Sequence, residues 1–323
     1  MGGKIGIGKS GVAIAAAIAL AMCIISFIFR PVDIFPVQYG LCLDSPDSWR
    51  IAPVLSWILN VLLIAVITLL LYLVNKSYNF IRTTEPVLTA LFPIMAASSP
   101  WFAQALCTSN LLCLFNVVGL GIVFSAYGSK NATQQLFIAG VTLGAGAMFQ
   151  YAFIPMIAVY ILWALFMKVL RLKELLAFFV GILCPWWIML GFGLISFSDF
   201  RLPSLVPFFG LERDHTDIFF LLIGIGLAVI IGLLTALSNF MKLYAGNSRV
   251  NAMNLCLYTL GAACVICILI DYENIPAYVI TLYMVTAVQV ANICALWNIA
   301  RPWLVTALPS LLFVLLFIGN MLV

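Results

Sequence analysis

Two polar stretches of this 323-residue chain carry the side chains best suited to act on a ligand. The first runs from Arg30 to Arg50, RPVDIFPVQYGLCLDSPDSWR, and sets Asp33, Asp44 and Asp47 between two arginines, with Tyr39 and Trp49 alongside. The second, residues 198–217, reads SDFRLPSLVPFFGLERDHTD and ends in Glu212, Arg213, Asp214, His215, Thr216 and Asp217. Carboxylates can accept a proton from an attacking hydroxyl. Arginine forks match phosphate oxygens two at a time. Asp33 stands three residues beyond Arg30, next to the end of an apolar run, so a helix would constrain its position. Asp44 and Asp47 sit in a Ser/Pro turn, Asp44-Ser-Pro-Asp47, which leaves them looser. Glu212, Asp214 and His215 have metal-ligating atoms, but they crowd into one short segment with no further ligand set, and no metal site is read from them.

Other motifs fail on context. Gly3 to Ser10, GKIGIGKS, matches the phosphate-loop spacing G-x-x-x-x-G-K-[ST]. That loop works between a strand and a helix, where backbone N–H groups surround the phosphates. Here an apolar run follows at once, and the segment reads as a short basic lead into a membrane span. Leu20-Ala21-Met22-Cys23 approaches a lipoprotein cleavage box, yet Met22 is too large for its place and the apolar run is too long for a signal-peptide core. The expectation is an uncleaved signal anchor. Of the nine cysteines, only Cys42 and Cys107 stand near loops on one side, where a bridge is conceivable; the others fall in apolar segments. Cys264-Val-Ile-Cys267 lies inside such a segment and reads as packing.

The elements that hold the two loops must be membrane helices. The chain is 65% hydrophobic and 8% charged, against about 25% charged in soluble domains. So few charges cannot cover a water-facing surface, and lipid must solvate most of it. The expected fold is all-α and polytopic, one transmembrane domain over residues 1–323, with spans at 11–29, 51–74, 86–106, 110–128, 133–149, 151–167, 174–197, 217–239, 250–270, 276–299 and 302–322. The pair 133–149 and 151–167 is too long for one helix and short for two. Gln150 marks the break, and Pro155 would end or kink a continuous helix.

Charge bears on that pair. With eleven spans and a cytoplasmic N-terminus, Lys4, Lys9, Lys76, Arg82, Lys130, Lys168, Arg171, Lys173, Lys242, Arg249 and Arg301 lie inside, and Arg30, Arg50, Arg201 and Arg213 outside. Merging the pair reverses everything after it and destroys the bias, so the positive-inside rule favours two helices and an external C-terminus. Acids sort the other way: Glu85 and Glu174 inside, and Asp33, Asp44, Asp47, Asp199, Glu212, Asp214, Asp217, Asp271 and Glu273 outside. Orientation rules do not require that split, and it leaves a carboxylate-rich outer face. The net charge of +4 is spread singly over segment ends, which implies no nucleic-acid partner.

No Asp, Glu, Lys, Arg or His falls in the middle of a predicted span, which argues against a proton-driven pump. Gln104, Asn116, Gln289 and Asn292 could line a polar seam or make interhelical hydrogen bonds. Gly140 with Gly144, and Gly119 with Gly121, would let helices approach closely.

The layout resembles the GT-C class of membrane glycosyltransferases over roughly residues 10–220. The likeness lies in the cytoplasmic N-terminus and first span, then an outer loop with an acid just past the membrane. It extends to the short-helix pair, Gly140-Val-Thr-Leu-Gly144, Pro155, the basic turn Lys168 to Lys173, and a second outer loop after the seventh span. The chain is also similar to small inner-membrane proteins of Bacteroidota with this layout. The resemblance implies an inner-membrane protein that takes a polyprenyl-phosphate-linked sugar between its helices. Asp33 would be the catalytic base. Arg30, Arg50, Arg201 and Arg213, with Asp214 and His215, would bind the substrate. No cofactor or metal is implied. The chain departs from the family in having a lone Asp33, followed by Ile34, where many members pair two acids. It also has shorter outer loops and no soluble C-terminal domain. Two other functions stay open: a non-catalytic membrane subunit that binds a protein partner or lipid, and an amide-lined carrier.

Overall fold

The computed structural model describes residues 9–29, 40–49, 51–81, 85–201, 215–243, 248–271, 274–297, 299 and 302–322. Among them are twelve α-helices: α1 (Lys9–Phe29), α2 (Pro53–Tyr78), α3 (Glu85–Ala97), α4 (Pro100–Gln104), α5 (Thr108–Ser125), α6 (Thr133–Phe149), α7 (Met156–Phe166), α8 (Leu172–Gly191), α9 (His215–Leu243), α10 (Ser248–Ile270), α11 (Ile275–Leu296) and α12 (Pro302–Leu322). Eight of these are long and apolar enough to cross a membrane: α1, α2, α5 and α8 to α12. The all-helical, multi-pass character expected from composition is thus present. In hydrocarbon, a helix is the one open-ended element that satisfies its own backbone.

Helix boundaries follow local chemistry. The expected single run over 86–106 is split into α3 and α4. Pro100 disfavours a helical conformation in the residue before it, and Ser99 is extended at φ −105°, ψ 121°. The expected break at Gln150 is present: that residue is extended at φ −155°, ψ 133°, and a short turn over Tyr151–Phe153 leads into α7.

Helix α11 forms the centre. It packs against α3, α5, α9, α10 and α12, and nearly all of its residues are buried. Around it, α2, α8, α9 and α12 turn leucines, isoleucines and tryptophans outward, such as Leu62, Trp187, Leu234 and Leu308. That pattern suits a lipid-facing wall.

The most intimate helix pair is α6 with α8. A Cβ added to Gly140 would stand 2.2 Å from the Phe178 carbonyl oxygen, one on Gly144 2.2 Å from that of Ile182, and one on Gly181 2.2 Å from that of Phe137. Three glycines thus set backbone against backbone.

The two ends of the bundle differ in charge. At one end the described residues include Asp44, Asp47, Asp199, Arg201 and Asp271. The opposite end holds Lys76, Lys130, Lys168, Arg171, Lys173 and Arg249, with Glu174. At this basic end the Arg249 guanidinium lies over the rings of Tyr78 and Tyr127, 5.9 and 5.8 Å from their centroids. The Arg171 guanidinium donates to the Lys130 carbonyl at 3.0 Å.

Candidate functional site at the acidic end

The first polar loop, in its described part, is fastened to two helices. The backbone N–H groups of Leu41, Cys42 and Leu43 donate to the α6 carbonyls of Ala147 and Met148 at 3.3, 3.4 and 3.0 Å. These carbonyls lie in the last turn, where a helix has no partners of its own. Gly40 must be glycine for this approach, since a Cβ there would stand 2.2 Å from the Met148 oxygen. The turn Pro46–Ser48 then points Asp47 at the start of α5. Its carboxylate accepts the Thr108 N–H, 3.2 Å from each oxygen, and also the Thr108 hydroxyl. Cys107, the residue before α5, supplies no side-chain cap, so Asp47 caps the helix from 61 residues away. Burial pushes the Asp47 carboxyl up from its ordinary range, and the bonds from Thr108 oppose that shift. The expectation of a loosely held Asp47 is therefore corrected: tertiary contacts fix it. Trp49 donates its indole N–H to the Asp44 carbonyl at 3.2 Å and sets its ring edge-on to Phe149.

The second loop meets the first at Arg201. Its backbone N–H donates to the Leu41 carbonyl at 2.8 Å, and its carbonyl accepts the Tyr151 hydroxyl. Its guanidinium stands 3.6 Å from an Asp44 carboxylate oxygen, with 56% of the arginine and 62% of the aspartate side chain exposed. Just before it, the Asp199 carboxylate accepts the Ser196 N–H and hydroxyl at 2.7 and 3.0 Å. Those bonds, the backbone one first, hold Asp199 below its usual range, and Arg201 adds to the effect.

Beneath this surface layer lies a buried polar chain that the sequence reading missed. Gln150 donates to the Asn274 side-chain oxygen at 2.8 Å. Asn274 donates to both Asp271 oxygens at 2.9 and 2.8 Å, and the Tyr278 hydroxyl reaches one of them at 3.3 Å. Asp271, expected in a watery outer loop, is 6% exposed. The chain ties the α10–α11 turn to the α6–α7 break, two irregular segments whose polar groups lack lipid partners. A signal was present in the spacing Asp271-x-x-Asn274-x-Pro276-x-Tyr278 at a helix junction. Gln150 was read only as a break.

Of the predicted site residues, the structure places Arg201 as described. Asp33, Arg30, Arg50, Arg213 and Asp214 lie outside the described residues. His215 opens α9, and its side chain lies outside them too. Cys42 and Cys107 are both free thiols, so the bridge considered between them is not formed. Cys264 and Cys267 are buried in the core. Most of the amides considered for a seam pair with protein groups. Gln104 donates to the Ser26 carbonyl at 3.4 Å, Gln289 accepts from Asn239 at 3.0 Å, and Asn292 donates to Asn254 at 2.6 Å. Asn116 is buried with neither amide atom hydrogen-bonded among the described residues. These pairings give most of the amides a structural task.

No protein family, curated protein or solved structure matches this chain.

Proposed function

We propose that this is a GT-C-like membrane protein that handles a polyprenyl-phosphate-linked sugar at its acidic end, the end that the charge bias assigns to the outer face of the inner membrane. The observation that carries the reading is the junction of the two loops at Arg201. The backbone of Arg201 is clamped by Leu41 and Tyr151, while more than half of its side chain stays exposed beside Asp44. A clamped backbone with an exposed guanidinium is well placed to hold a phosphate bidentately without first ordering the loop. Asp33 belongs to the same loop as Asp44 and would act as base. It would take the acceptor hydroxyl proton as that oxygen bonds the anomeric carbon, while the bond from that carbon to the lipid phosphate breaks and the phosphate leaves with the electron pair.

The test uses the full chain reconstituted in liposomes, with polyprenyl-phosphate sugar and the release of polyprenyl phosphate as readout. Release should fall by at least about 100-fold in Asp33→Asn, the usual scale for loss of a general base. Arg201→Ala should weaken donor binding while leaving the melting temperature near that of the parent. Donor binding that is unchanged in Arg201→Ala, or absent in the parent, removes this reading.

A second reading, a non-catalytic subunit that binds a membrane-protein partner, draws on one observation. Trp187, Phe192 and Phe197, near the acidic end of α8, are 70%, 78% and 81% exposed. Such a group fits an interfacial aromatic belt equally well.

A further inference from the structure

The structure points to a second ligand site at the opposite, basic end. We propose that the cleft between the first turns of α6 and α8 binds an anionic phospholipid of the surrounding bilayer. The cleft has a volume of about 540 Å³. Its rim carries Lys173 with Asn131 and Gln134, and its wall carries Phe137, Leu176 and Val180.

The lining changes character along the helix axis. Lys173 stands in the first turn of α8, and Val180 lies seven residues on, about 10 Å deeper at 1.5 Å per residue. Leu176 and Val180 are four apart, so they share one helix face, and they are 57% and 58% exposed. A free anion would use only the rim. A ligand with a charged head and a hydrocarbon tail matches the whole cleft.

Charge selects an anionic head. Lys130, Lys168 and Arg171, in the segments that lead into α6 and α8, and Lys173, in the first turn of α8, are all exposed. The described carboxylate nearby, Glu174, is 3% exposed and is not part of the cleft lining. Clustered lysines and arginines at a membrane surface attract anionic lipid. Helices α6 and α8 also both start at the rim, and the residues before them, Ala132 and Arg171, give no side-chain cap. Their first N–H groups add partial positive charge there. The Arg171–Lys130 bond holds the two starts side by side.

The test is lipid retention on the purified full chain by native mass spectrometry. Phosphatidylglycerol is offered against phosphatidylcholine of identical acyl chains. Phosphatidylglycerol should be retained preferentially, and Lys173→Gln should lower its retention about fivefold, the scale of one lysine near an anionic surface. Lys76→Gln, an exposed lysine at the same end on α2, should leave retention within about twofold. Val180→Trp, at an exposed wall position that the fold can absorb, should also lower it. Equal losses in Lys173→Gln and Lys76→Gln would reduce the effect to the general field of the basic end. Equal retention of the two lipids, or displacement by excess inorganic phosphate, would likewise overturn the proposal.

Discussion

Asp47 and Asp199 sit in neighbouring loops and respond to them in opposite ways. Asp47 is raised chiefly by burial, Asp199 lowered chiefly by the Ser196 N–H. The folded chain therefore binds a proton at Asp47 more readily than the unfolded chain does. Between the ordinary carboxylate value and the raised one, stability falls as pH rises. Asp199 has the reverse sign: its contribution is present above the ordinary value and is lost as pH falls through the lowered one. Thermal melts in detergent across the acid range should thus show Asp47→Asn losing the acid-side gain that the parent has. Asp47→Ala should cost about 0.5–2 kcal/mol at neutral pH, because α5 loses its cap. If Asp47 is structural and Asp33 catalytic, the two alanine variants separate cleanly. Asp47→Ala lowers the melting temperature, whereas Asp33→Ala lowers activity at an unchanged melting temperature. Matching losses of stability in both would remove the distinction.

Among the helices, irregular backbone survives where side chains from elsewhere answer its polar groups. The end of α4 at Gln104 frees the Phe102 carbonyl, and Asn60 on α2 donates to it at 2.6 Å. Asn110 on α5 donates to Asn60 at 2.7 Å, and Ser56 accepts the Leu106 N–H at 2.9 Å. Gln150 does the same work at the α6–α7 break. Gln150→Ala would leave the Asn274 oxygen buried without that donor, at a cost of about 1–3 kcal/mol; a melting temperature equal to the parent's would show that the amide chain is dispensable. Close packing gives a second handle. Gly140→Val drives a side chain into the Phe178 carbonyl and should destabilise by at least about 1–3 kcal/mol. Gly226→Ala on α9, where an added Cβ meets nothing within 4 Å, should be neutral or stabilising by up to about 1 kcal/mol. Denaturation of the two variants side by side checks the contrast, and equal stability would refute the close α6–α8 contact.

For the molecule as a whole, the separation of charge between the two ends carries the orientation. The positive-inside rule predicts a cytoplasmic basic end and, with an odd number of crossings, an external C-terminus. Reporter fusions at Val323 should therefore read external and fusions within 242–249 cytoplasmic. A cytoplasmic signal at Val323 would overturn the count of eleven crossings.

Much of this architecture was legible in the chain itself. Composition required lipid as solvent, and hydropathy with prolines and Gln150 marked most helix boundaries to within a few residues. The Gly140 and Gly144 pair announced a close helix contact without naming α8 as the partner. These features are local: each depends on propensity, hydropathy or charge within one segment. The sequence did not reveal that α11 is central: its Thr281, Thr286, Gln289 and Asn292 hinted at burial, but such residues on one helix do not say which helices surround it. Nor did it show that Asp47 caps α5 or that Asp271 is buried, since an acid at a helix junction looks solvated until its distant partners are known. Only the tertiary structure brought Arg201 to Asp44, Asp47 to Thr108 and Gln150 to Asn274. Each of those pairs joins residues far apart in sequence, and their meeting is decided by how the helices pack rather than by any one segment.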